Sequence, residues 1–167
     1  KGYLFMRNYP PAKKWLKKAI KVDANYGRGY TGLGWVYANT GNYQEATKWF
    51  KEAARVDPND SENYVGLSHC YYYLVNYPVA IEWLNAGRKT CVNCDTINEA
   101  FARVYTAMGE YEKAEAVLKS LVVGKNAEEF GYWGCPFQAL GELYSHMTIS
   151  DQKKKVLENY IKAAQIE

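Results

Sequence analysis

The chain has 167 residues, with 21 basic and 18 acidic side chains and a formal net charge of +3. Its 48% hydrophobic and 23% charged content excludes disordered, collagen-like, coiled-coil and small disulfide-rich classes. The balanced charge argues against nucleic acid as a partner, no run of 18 apolar residues marks a membrane span, and no signal peptide is visible after Lys1. A chain of this length buries roughly 70% of its extended surface, so folding needs neither a metal nor a disulfide.

The 16 Tyr, 5 Trp and 5 Phe are not scattered. Tyr3, Tyr37, Tyr71 and Tyr105 stand 34 residues apart, as do Tyr9, Tyr43, Tyr77 and Tyr111. Ala12, Ala46, Ala80 and Ala114 keep the same step. So do Trp15, Trp49 and Trp83, with Val117 next, and Leu16, Phe50, Leu84 and Leu118. Five columns in one register mark a solenoid of repeats.

The first repeat spans 1–26 and lacks the opening of its first helix. The second spans 27–60. Tyr30, Leu33, Gly34 and Tyr37 sit at i, i+3, i+4 and i+7 on one helix face. Gly41 ends that helix and Asn42 offers a cap for the next. Ala46, Trp49, Phe50, Ala53 and Ala54 form a second apolar stripe, closed by Asp57-Pro58. Each period is therefore two antiparallel helices that bury their stripes only by stacking. Ala46 and Ala80 mark tight helix crossings. The third and fourth repeats span 61–94 and 95–128. Residues 129–133 read as an insertion. The last repeat, 134–167, carries Phe137, Leu140, Gly141 and Tyr144.

Tyr30-x2-Leu33-Gly34-x2-Tyr37, Ala46-x3-Phe50 and Pro58 resemble the tetratricopeptide repeat family, with Tyr at the first position. The third repeat keeps the pattern as Tyr64, Leu67, Ser68, Tyr71, Ala80 and Leu84. The fourth has Asn98, Phe101, Ala102, Tyr105, Ala114 and Leu118. The resemblance covers essentially the whole chain. It implies an all-α, right-handed α-solenoid of about five helix-turn-helix repeats, a single domain over 1–167. It implies no particular ligand, because one fold hosts many functions.

Motifs for chemistry are few. Cys91-Val92-Asn93-Cys94 lies in a turn. Haem attachment needs His where Asp95 stands, and zinc needs two further ligands. Two turn thiols or a local disulfide is the simpler reading. Cys70 reads as a small buried apolar residue. His69 and His146 have no accompanying nucleophile motif, and no glycine-rich loop follows a strand. No catalytic residue, cofactor or metal site is expected. Lys13, Lys14, Lys17, Lys18 and Lys21, and later Lys153, Lys154 and Lys155, read as solvated faces. The triplet Asn59-Asp60-Ser61 matches a glycosylation acceptor by composition alone.

The resemblance also implies a concave groove lined by the first helices. Its small sixth positions, Gly32, Gly66, Ala100 and Ala139, are expected to leave the floor open, with no core stripe at Gly66. The partner-binding residues it points to are Trp35, Asn39, His69, Tyr72, Tyr73, Arg103, Glu142 and His146. Some family members grip a chaperone's C-terminal carboxylate with Lys, Asn and Arg. Here Thr31, Trp35 and Gly66 stand where that clamp needs Lys and two Asn, so this ligand is not expected. The function expected is a non-enzymatic scaffold taking a peptide or helix of a partner protein in the groove. The alternative is a structural subunit that stacks end to end, prompted by residue 1 falling in the middle of a first helix.

Overall fold

The sequence dictates where each helix stops, and the stops recur. The computed structural model describes residues 9–91, 95–122 and 143. They form α1 (Tyr9–Val22), α2 (Gly27–Asn39), α3 (Tyr43–Val56), α4 (Ser61–Tyr73), α5 (Tyr77–Thr90), α6 (Asp95–Met108) and α7 (Tyr111–Val122). Among the described residues there is no strand. First helices start at 27, 61 and 95, and second helices at 9, 43, 77 and 111. The tyrosine column at 9, 43, 77 and 111 therefore opens each of the described second helices. The protein is an all-α helical-repeat solenoid. It divides into two compact units, 1–97 and 98–167. The insertion at 129–133 and nearly all of the repeat at 134–167 lie outside the described residues.

The turns inside the hairpins share one hydrogen-bond scheme. The N–H groups of Asn42, Asn76 and Glu110 donate to the carbonyls of Tyr37, Tyr71 and Tyr105, each at 2.9 Å. This six-residue closure places the residue before each donor in left-handed backbone. Gly41 and Gly109 adopt it at φ 78° and 76°, and Val75 adopts it at φ 57°. A β-branched residue there is a conformational outlier.

Side chains from the loops cap α3 and α4. Asn42 Oδ1 accepts from Glu45 N–H at 3.3 Å to start α3. Asp60 Oδ1 accepts from Glu62 N–H at 3.0 Å to start α4. The Asn59-Asp60-Ser61 triplet thus supplies a cap.

In the first unit the core is built around Phe50, which is fully buried with Ala46, Leu67 and Cys70. A Cβ on Gly34 would lie 2.7 Å from the Phe50 ring, and one on Gly66 would also strike that ring. Gly34 belongs to Phe50's own hairpin and Gly66 to the next repeat. Leu16, 34 residues earlier in the same column, abuts Gly32, where a Cβ would meet its Cδ2 at 2.9 Å. The small residues at 32 and 66 therefore do not leave an open floor. They are sockets for the preceding second helix, and the missing Cβ is what lets the helices approach. Ala100, the next sixth position, is also buried.

The alanine column lies at the crossings as expected: Ala46, Ala80 and Ala114 are fully buried. Tyr37 is half-buried rather than central. It stacks on Trp49, centroids 6.2 Å apart, under the Lys13 ammonium at 4.1 Å. The tryptophan column is not fully buried either: Trp15 is exposed, Trp49 is half-buried, and the half-buried Trp83 packs against the Phe50 core. Tyr30 tilts against Trp49 and Tyr64 against Trp83, at 6.3 and 6.4 Å. Lys17 covers Trp49 and Lys51 covers Trp83, at 5.8 and 5.9 Å. Three lysines of α1 are thus more than a solvated face: Lys13, Lys17 and Lys18 lie over Tyr37, Trp49 and Trp15. In each the ammonium nitrogen lies over a ring, a cation–π contact.

A Gly66→Ala substitution adds one methyl against the fully buried Phe50 ring. Overpacking of this kind costs about 1–3 kcal/mol. Chemical denaturation should show that loss for Gly66→Ala. The same change at Gly41 should act through its left-handed backbone instead, because a Cβ there meets nothing within 4 Å.

Candidate functional site

The first helices α2 and α4 touch, and a buried polar link sets their register. The Thr31 hydroxyl donates to Asn63 Oδ1 at 2.6 Å, and Asn63 Nδ2 donates to the Asp57 carbonyl at 3.1 Å. Both side chains are buried. Each amide end of Asn63 is satisfied, so the burial carries no orphan polar group. Thr31 is committed to this link and does not face a ligand.

One helical turn on, the register sets a run of rings. Trp35 meets Phe50 edge-on at 5.1 Å and His69 at 5.4 Å. Its Nε1–H donates to Glu62 Oε1 at 2.9 Å. His69 meets Tyr73 at 4.8 Å, and Tyr73 stacks on Tyr43 at 4.8 Å with 2° between the planes. Tyr72 stands edge-on to Tyr73 at 5.2 Å and tilts against Tyr77 at 5.9 Å. Tyr73 is 51% exposed, and Trp35, His69 and Tyr72 are half-buried. Offset and edge-to-face geometries of this sort fix ring positions through their quadrupoles.

Of the expected groove residues, the first unit brings together Trp35, His69, Tyr72 and Tyr73. Asn39 stands exposed as the last residue of α2. Arg103 is exposed on α6, in the second unit. Glu142 and His146 lie outside the described residues. Three members of the cluster were not anticipated: Tyr43, Tyr77 and Glu62. The 34-residue tyrosine column already marked the first two, and Glu62 occupies the second slot of its repeat, a groove slot in the pattern.

The titratable groups under the rings favour protonation. Burial pushes the Cys70 thiol up to about 12. The Tyr43 phenol is raised by burial first, then by Tyr73 and Cys70. The Tyr64 phenol, which donates to the Pro58 carbonyl at 2.9 Å, is raised by burial and then by Asp57. None of these is an activated nucleophile. Cys91 is disulfide-bonded, so its sulfur cannot serve as a thiolate ligand. Among the described residues no group of three His, Cys, Asp or Glu could hold a metal ion, and no helix is long and apolar enough to cross a membrane.

A family model described as anaphase-promoting complex, cyclosome, subunit 3 matches residues 33–121, more than half of the chain. The chain belongs to that tetratricopeptide-repeat family. No curated protein sequence matches it. Among solved structures it is similar to MamA, with a TM-score of 0.69 and 20% identity over 98% of this chain and 89% of that one. It is similar to a chain of the APC/C hetero-tetramer Cut9-Hcn1, with a TM-score of 0.78 and 18% identity, covering 97% of this chain and 31% of that one. It is also similar to YrrB, described as a TPR protein with an unusual peptide-binding site, with a TM-score of 0.66 and 18% identity over 96% and 80% of the two chains. At these identities the likeness is one of fold. Tetratricopeptide repeats are generally scaffolds, which agrees with protein partners as the coarse class.

Stability should fall as pH rises past about 9. Cys70 binds its proton more tightly folded than unfolded, so its contribution is complete below the ordinary thiol value of 9 and is lost towards 12. Unfolding midpoints from pH 8 to pH 11 check the sign, and Cys70→Val should flatten part of the fall. Trp35→Phe should cost about 1 kcal/mol or less, since it loses a single exposed hydrogen bond. Trp35→Ala should cost about 2 kcal/mol more through the lost contact with Phe50.

Proposed function

We propose that the chain is a non-enzymatic interaction scaffold that takes a peptide or helix of a partner protein against the first-helix face of α2 and α4. The observation that carries this reading is the run from Trp35 through His69 and Tyr73 to Tyr72 and Tyr77. Large rings bury much area at small entropic cost, and they dominate binding energy where they cluster. The peptide-binding site named for YrrB, on a similar fold, supports the same class of ligand. Asn39, at the end of α2, extends the face with an exposed amide. Arg103, Glu142 and His146 are the residues proposed for partner binding in the later repeats. Thr31 is excluded, being held by Asn63.

Tyr73 is the position to test, because half of it is exposed and it reaches the Phe50 core only through its neighbours Tyr43 and His69. Tyr73→Ser should leave the circular-dichroism spectrum unchanged. It should weaken capture of the native partner by about tenfold, equivalent to about 1.4 kcal/mol. Light scattering at rising concentration runs alongside. Growth of the wild type that Tyr73→Ser abolishes would instead assign this face to self-assembly. Wild-type partner affinity in a folded Tyr73→Ser protein would remove the face from consideration.

A further inference from the structure

Within the first unit, α3 and α5 occupy the same place in successive repeats, yet they are built differently. Val75 takes the left-handed turn position that Gly41 takes before α3, at φ 57° against 78°. Its side chain is 70% exposed, so burial does not offset the backbone strain. Asn42 caps α3 through its side chain, whereas Asn76, its equivalent, makes no side-chain cap bond. Glu45 sits in the first turn of α3 and pairs with Lys48 at 2.8 Å, and Glu52 pairs with Arg55 at 2.8 Å. The residues 34 positions after Glu45 and Glu52 are Val79 and Ala86, so α5 has neither pair. Gly87 replaces the buried Ala53, because a Cβ there would meet Tyr64 Cβ at 2.7 Å. Strained turn, missing cap and missing first-turn acid weaken the start of α5 and Gly87 its far end, against one feature that favours the start, Pro78 in its first turn.

We infer that the Val75–Asn76 turn is a hinge built into the fold: the first turn of α5 opens locally, at lower free energy than the equivalent first turn of α3. Local opening of this kind is drawn from the least stable element of a domain. Its consequence is specific. Tyr77 is the first residue of α5 and rests on Tyr72 at 5.9 Å, so each opening detaches the end of the ring run. The inference stands on the helix chemistry alone and does not depend on the docking reading.

Two equivalent amides report the opening. Ala80 N–H donates to the Asn76 carbonyl at 3.1 Å and Ala46 N–H to the Asn42 carbonyl at 3.0 Å, and both alanines are fully buried. Residue-resolved hydrogen exchange on the whole chain, corrected for intrinsic rates, should give Ala80 at least tenfold less protection than Ala46. Val75→Gly should raise protection at Ala80 about tenfold and leave Ala46 unchanged. Val75→Asn, which keeps a side chain but tolerates left-handed backbone, should act in the same direction. It separates relief of strain from the altered entropy of a glycine-bearing unfolded chain. Equal protection of Ala80 and Ala46 in the wild type overturns the hinge, and so does failure of either variant to protect Ala80.

Discussion

One ring joins the repeats of the first unit. Phe50 projects from α3 into the gap left by two missing Cβ atoms, Gly34 on its own hairpin and Gly66 on the next. Leu16 makes the equivalent insertion against Gly32. The repeat is therefore not a hairpin that folds and then stacks. The residue filling a hairpin's core is also the residue the next hairpin sits on. Intrinsic stability and the nearest-neighbour term share an atom set, which explains why neither helix stripe is worth burying alone.

That shared core leaves the faces to do different work. Along the second helices, Lys17 and Lys51 cover Trp49 and Trp83, and Tyr30 and Tyr64 brace the same rings. The indoles are thereby shielded without being buried. Between the first helices, Thr31 and Asn63, with the carbonyl of Asp57 at the end of α3, fix the register by hydrogen bonds of defined geometry. A hydrophobic contact tolerates sliding and this bond does not, so the polar link positions α4 against α2 to the accuracy that ring-on-ring contacts demand.

The period was legible because each column answers a demand that recurs every 34 residues: closure at Tyr37, Tyr71 and Tyr105, a crossing at Ala46, Ala80 and Ala114, a helix start at Tyr43, Tyr77 and Tyr111. Where a demand can be met in two ways, the sequence was ambiguous. Gly66 illustrates this. A small residue reads the same whether it leaves room for a ligand or for Phe50, and only the path of the neighbouring helix decides between them. Trp49 and Trp83 are ambiguous for a similar reason, since a large apolar column does not reveal that a lysine ammonium lies over each ring. Glu62 was missed because a lone carboxylate in a helical first turn has an ordinary explanation. Its bond to Trp35 exists only once α2 and α4 are side by side. Val75 was passed over because turn conformation was read from glycine, and the hydrogen-bond pattern imposes it on whatever residue stands there.

The stack of Tyr73 on Tyr43 ties these features together. Tyr43 opens α3 and Tyr73 closes α4, so the stack belongs to two repeats at once. A ring ordered by its neighbours in the free protein loses little further freedom when something binds to it, and that saved entropy goes into affinity. The same ordering makes the face sensitive to repeat packing. Any shift of α4 on α2 must disturb Phe50 in its glycine sockets, the Asn63 link and the Tyr43–Tyr73 stack together. Ring positions at the surface are thereby coupled to the core through rigid contacts, and a side chain half in water inherits the precision of one fully buried.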